Sequence, residues 1–87
     1  MNHLKYVVID NGTPIPYVFP YPITHNDFAQ NIKGHVVSAG FCFPYIDSVT
    51  HNVKWEAFGK SHSLNIGSNP EADSRLINKY YCGYPVD

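Results

Sequence analysis

The sequence predicts an α+β fold, a small antiparallel sheet with two helices on one face in the order ββαββα. Three observations predict it. Short β-branched and aromatic runs alternate with turn-forming residues. Two segments pair helix-start chemistry with apolar residues at helical spacing. Hydrophobic residues at 44% and aromatics at 15% supply a core, while charge at 15% is too low for disorder. With 87 residues, the chain has room for one domain, spanning 1–87.

Leu4 to Ile9 is β-branched and aromatic, and Asp10-Asn11-Gly12 is a hairpin signal because Asn and Gly tolerate positive φ. Ile15 to Phe19 is the returning strand. Pro14, Pro16, Pro20 and Pro22 lack N–H donors, so this strand belongs at a sheet edge, which they blunt against further pairing. Thr24 is the expected N-cap of a first helix, with Asp27 at N3, Phe28, Ala29 and Ile32 on one face, and Lys33-Gly34 as its basic last turn and C′ glycine. Val36 to Phe43 reads as a strand that Pro44 ends. Its bulky Val37, Phe41 and Phe43 oppose small Ser38, Gly40 and Cys42, so something is expected to approach the small face closely.

Val53 to Phe58 forms a second hairpin with that strand. Ser61 to Ile66 is expected to extend it, with Gly59 marking a bulge or bend. Ser68 or Asn69 caps a second helix with Pro70 at N1, Glu71 and Asp73 near its positive end, and Ala72, Leu76 and Tyr80 as a stripe beside Ile77. That helix ends near Cys82-Gly83.

Six Lys and Arg against seven Asp and Glu give a formal charge of −1. Binding through phosphate neutralisation is not expected on that balance, so no direct nucleic-acid partner is predicted. No stretch approaches the ~20 apolar residues of a membrane span or a signal peptide's apolar region, so the expectation is a soluble cytoplasmic protein. Cys42 and Cys82 lie too far apart for a CxxC motif, and a reducing cytoplasm favours two buried thiols over a disulfide.

Catalytic signatures are missing. Gly59-Lys60-Ser61 resembles the end of a phosphate-binding loop, but the earlier glycine that motif needs is Lys54 here. The five histidines, His3, His25, His35, His51 and His62, show no metal-binding spacing and read as surface or capping residues. Ser61 or Ser63 with His62 or His35 and Asp10 or Asp47 could supply a triad's residue types, but no nucleophile elbow is present. No enzyme, cofactor or metal is predicted.

Thirteen aromatics, one Trp, seven Tyr and five Phe, exceed what a small sheet can bury. Tyrosine suits binding surfaces because it gives large area with few rotatable bonds and one polar tip. Tyr17, Tyr21, Tyr45, Trp55, Tyr81 and Tyr84 are therefore the candidate protein-binding residues. The alternative is an oligomeric protein sequestering a small ligand or nucleotide signal, with Ser38, Gly40, Lys60, Ser61 and His62 as the binding groups. A homodimer is the third reading.

The blocks Thr24-His25-Asn26-Asp27-Phe28-Ala29, Val36-Val37-Ser38-Ala39-Gly40-Phe41 and Phe58-Gly59-Lys60-Ser61-His62-Ser63-Leu64, with the Pro70-Glu71-Ala72-Asp73 helix start, resemble small phage and prophage proteins of uncharacterised activity. The resemblance covers more than half the chain and implies no reaction or site residues. It implies a context: small stand-alone phage proteins are often inhibitors of host defence, anti-CRISPR proteins among them. The expected partner is then a host protein, such as a defence complex, blocked by steric occlusion.

Overall fold

The Asp10-Asn11-Gly12 turn forms as the sequence predicts in the computed structural model, which describes residues 3–81. Gly12 has φ 98° and its N–H donates to the Asp10 carboxylate at 2.9 Å, closing the turn between β1 (Leu4–Asp10) and β2 (Pro14–Phe19). Strand β3 (His35–Ile46) pairs with the other side of β1, and β4 (Val53–Phe58) pairs with β3. The antiparallel order is β2-β1-β3-β4. Consecutive Tyr6, Val7, Val8 and Ile9 are all buried, so β1 is covered on both faces.

That double burial separates the helices, α1 (His25–Ala29) and α2 (Pro70–Tyr81). Ile77 of α2 packs on Tyr6, Val8, Cys42 and Ala57. The opposite face gathers Val7, Ile9, Phe19 and Ala39, covered by Phe28, Ile32, Leu64 and Ile66. The helices therefore lie on opposite faces of the sheet, correcting the expectation that both share one. The physical reason is β1 itself, which has no polar row to offer solvent.

A bulge refines β3. Val8 pairs with Ser38 but Ile9 pairs with Val36, so Val37 is the extra residue and stands 53% exposed, away from the face it was expected to share with Phe41 and Phe43. The strand also runs through Pro44, which the sequence reading made its end. Pro44 lies opposite Trp55, whose backbone N–H and C=O both turn outward to the Asn78 side chain, and β1 pairs no further than Leu4 with Cys42. The missing donor thus costs no ladder bond.

Two short strands replace the expected extension of β4, so the order is ββαββββα. After Gly59, at φ 79°, the chain forms a separate hairpin of β5 (Lys60–Ser61) and β6 (Ile66–Gly67). Helix α1 begins as predicted, with the Thr24 hydroxyl accepting from the Asp27 N–H at 3.1 Å, but it ends at Ala29 and continues only as turns. Gly34 is no helix cap. At φ 132° it passes β1 so closely that a Cβ would meet Ile9 Cγ2 at 2.6 Å. In α2 the inward row is Asp73, Ile77 and Tyr81, one position on from the predicted stripe, which leaves Tyr80 41% exposed.

Candidate binding surface

The aromatic surplus resolves into a continuous array of rings on the α1 side of the sheet. Tyr17 meets Phe28, Phe28 stacks on Phe19 at 4.3 Å, and His25 stands edge-on to both Phe19 and Phe41. Phe41 then meets Phe58, which contacts His3 and Phe43, and Phe43 reaches Tyr45. All five phenylalanines belong to it. Edge-to-face and stacked rings contribute about 0.5–1.5 kcal/mol per pair beyond their buried area, and the array runs from buried Phe19 and His25 through half-buried Phe41, Phe58 and Phe43 to exposed Tyr45.

His25 sits inside the array at 3% exposure, which corrects its reading as a surface or capping residue. Its Nε2–H donates to the Gly40 carbonyl at 2.7 Å. Burial holds its pKa below the ordinary 6.5, against the opposing pull of that hydrogen bond.

Tyr21 leaves the array and faces solvent at 64% exposure. It is nevertheless held. Pro20 and Pro22 restrict the backbone on either side, and Lys5 Nζ lies 4.9 Å from the ring centroid while donating to the Ile23 carbonyl at 3.0 Å. One ammonium thus braces both the ring and the loop that carries it. Ile23, 38% exposed, extends the apolar surface.

A different surface lies at the β4 edge. A cleft of about 450 Å³ runs between β4 and α2, with Tyr45 and Trp55 on the sheet side and Glu71 and Arg75 on the helix side. Asn78 takes both the N–H (2.6 Å) and the C=O (3.2 Å) of Trp55, and the Ser74 hydroxyl accepts from the Ala57 N–H at 2.9 Å. Helix side chains thereby stand in for a neighbouring strand.

The polar groups on the small face of β3 are structural. Asp73, 5% exposed, accepts from the Tyr6 hydroxyl at 2.5 Å, the Ser38 hydroxyl at 2.9 Å and the Asn69 N–H at 2.9 Å. Burial, then the bond to Asp73, pushes the Tyr6 phenol well above its usual range. Burial also pushes the Cys42 thiol up to about 12. A Cβ on Gly40 would collide with the Phe58 carbonyl, so the close approach expected on this face is made by the chain itself.

Of the alternative ligand residues, Ser38 and Gly40 are therefore covered from within. Ser61 is fully buried and accepts from the Leu64 N–H at 3.1 Å, shaping the β5–β6 turn, while Lys60 and His62 are exposed. None of these five residues lines the β4 cleft. Among the protein-binding candidates, Tyr45 and Trp55 meet at the β4 cleft and Tyr81 lies 6.2 Å from Trp55, with its hydroxyl donating to the Pro16 carbonyl at 3.2 Å. Tyr17 and Tyr21 lie at the β2 edge, and Tyr84, like Cys82, falls outside the described residues. Among the described residues no three His, Cys, Asp or Glu side chains group as metal ligands, and no helix is long and apolar enough to cross a membrane. Sequence reasoning missed Lys5, whose part depends on a partner sixteen positions away, and Asn78, whose only signal was its helical phase with Ser74.

No family model matches the chain, and no curated protein or solved structure is similar to it. Nothing in these comparisons links the chain to phage or anti-CRISPR proteins.

Proposed function

We propose that the chain is a non-enzymatic binding protein that acts by covering a surface of a partner protein, with the Pro20–Thr24 loop as its anchor. The observation that carries this reading is Tyr21, 64% exposed yet braced by Lys5 between two prolines. Large apolar groups left in solvent but already ordered lose little entropy on docking, which is the character of interface hot spots. Tyr17 and Ile23 extend the same edge, and truncating a central aromatic at such a site costs about 2 kcal/mol or more of binding. The partner that the phage resemblance implies is a host defence complex, such as a CRISPR effector, inhibited by occlusion.

The test adds the purified chain to a purified CRISPR effector complex and measures target cleavage and direct binding. Inhibition by the native chain, lost in Tyr21→Ala with its circular dichroism unchanged, supports both function and anchor. Full inhibition by a folded Tyr21→Ala removes the anchor. No binding to such complexes removes the defence target.

A further inference from the structure

His25 stands at the junction between the loop that carries Tyr21 and the first turn of α1. It follows Thr24 directly, and the turn it begins is held by the Thr24 hydroxyl, which accepts from the Asp27 N–H, and by the Thr24 carbonyl, which accepts from the Phe28 N–H at 3.0 Å. The loop itself closes through the Ile23 N–H, which donates to the Pro20 carbonyl at 3.2 Å. Helix α1 spans only five residues, too few to hold together without tertiary contacts, so whatever seats it on the sheet decides whether turn and loop stay ordered. Its buried residue is His25, with the rings of Phe19 and Phe41 beside it and its Nε2–H on the Gly40 carbonyl.

The site suits a neutral imidazole. Strand β2 presents Phe19 to the ring, and β3 presents Phe41 and the Gly40 carbonyl. The β5–β6 turn reaches α1 through the Ser63 hydroxyl, which accepts from the Asn26 N–H at 3.2 Å. The charged group that acts on the ring is a cation, Lys5 of β1; Asp27 on α1 is exposed, and no carboxylate among the described residues favours the imidazolium. The bond to the Gly40 carbonyl does favour it, and burial outweighs that bond. Lys5 already braces this loop through the Ile23 carbonyl and the Tyr21 ring, so a proton on His25 sets a second cation against the first.

We propose that His25 is an acid-sensitive latch on the Tyr21 loop. Neutral, it seats the first turn of α1 on the sheet. Protonated at Nδ1, since Nε2 already carries a hydrogen, it leaves the site between Phe19 and Phe41, and the turn and the Pro20–Thr24 loop open with it while the β1–β3 ladder stays paired. A released imidazole takes up its proton at the ordinary 6.5 and the seated one only below that, so opening grows as the pH falls through 6.5. The consequence for docking rests on Tyr21 as the anchor: apparent affinity falls in proportion to the fraction of chains whose loop remains closed.

The experiment is amide hydrogen exchange of the free full chain by NMR between about pH 7.5 and 5.5, corrected for intrinsic exchange rates. The opening constants of the Ile23, Asp27 and Phe28 amides are expected to exceed those of the β1–β3 ladder about tenfold or more throughout, and to rise about threefold or more across that range. The rise is expected to vanish in His25→Gln, whose amide can still donate to the Gly40 carbonyl. Opening constants no larger than the ladder's overturn the latch, because the segment then opens only with the whole domain. So does the absence of a rise, or a rise that survives in His25→Gln. Where that variant does not fold by circular dichroism, the imidazole nitrogen resonances of the unsubstituted chain decide: a His25 ring that gains its proton while the three amides keep their opening constants overturns the proposal. No partner enters this measurement, so failure of the latch is distinct from failure of the anchor, which shows as docking that Tyr21→Ala does not weaken.

Discussion

Replacing Asp73 with Ala tests the polar joint between α2 and the sheet. The carboxyl group accepts from Tyr6, Ser38 and the Asn69 N–H, and two of those donors have no access to water in its absence: Tyr6 is 0% and Ser38 6% exposed. Each buried donor left without a partner costs about 1–3 kcal/mol, and the cavity adds to this, while relief of the carboxyl group's own desolvation subtracts. The expected net loss is about 3–4 kcal/mol, out of a total stability of about 4–13 kcal/mol for a chain this size. Urea denaturation followed by circular dichroism and Trp55 fluorescence measures it. With m near 1.5 kcal/mol/M, the midpoint falls by about 2 M at unchanged m. Asp73→Asn retains an acceptor, and the hydroxyls can rotate to meet its amide, so it costs about 1–2 kcal/mol. The control is Glu71→Ala, whose ion pair with Arg75 is exposed on both sides and whose loss changes stability by less than about 0.5 kcal/mol. A loss below about 1 kcal/mol in Asp73→Ala refutes the view that this carboxyl group organises the joint.

Two further predictions concern the same core. Gly40→Ala drives a methyl group into the Phe58 backbone carbonyl, which cannot rotate away, so it costs about 3 kcal/mol or more and lowers the urea midpoint; a neutral result refutes the packing of β4 against β3 at that point. His25 has a folded pKa below its unfolded value of 6.5, so its contribution is complete above pH 6.5 and is lost as the pH falls below that value, where the unfolded chain takes up a proton that the folded one resists. His25→Gln, whose amide can still donate to the Gly40 carbonyl, flattens the stability curve between pH 6.5 and 5. An unchanged slope shows that the acid sensitivity arises elsewhere.

Local chemistry was legible and long-range partners were not. The Asn11-Gly12 turn, the Thr24 cap, the start of β4 at Val53 and Pro70 at the start of α2 depend on neighbours within four positions, and each stands where the sequence places it. Lys33-Gly34 misled because a glycine needed for positive φ signals only the backbone angle. Here the angle serves a close passage beside Ile9 and Asp10 rather than a helix end. Asp73 was legible only in part: it sits in the first turn of α2 and accepts the Asn69 N–H there, as a carboxylate at a positive helix end should, but it also accepts from Tyr6, 67 positions away. The single helix-bearing face fails as an expectation because Tyr6-Val7-Val8-Ile9 gives β1 two apolar rows, and each must be covered.

The sheet edges connect these departures to association. Pro14 and Pro16 fall two apart in β2, so their missing donors lie in one backbone row of an edge strand, and that edge offers little for another strand to bind. At the β4 edge, α2 occupies the Trp55 N–H and C=O and the Ala57 N–H through Asn78 and Ser74, two side chains four apart on one helical face. Obstruction at both edges disfavours the simplest route by which a small β protein binds other chains. Exposed apolar side chains flank both edges: Tyr21 and Ile23 beside the proline edge, and Tyr45, Ile46 and Val49 beside the helix-capped one. Both are braced by charged side chains, Lys5 in the first case and Asp47 with Lys54 in the second. A charged group that fixes an exposed apolar one adds little to folding, since such surface interactions contribute only about 0–1 kcal/mol. It does lower the entropy lost when that apolar group docks, so under the binding role proposed above the Lys5 brace serves docking more than folding.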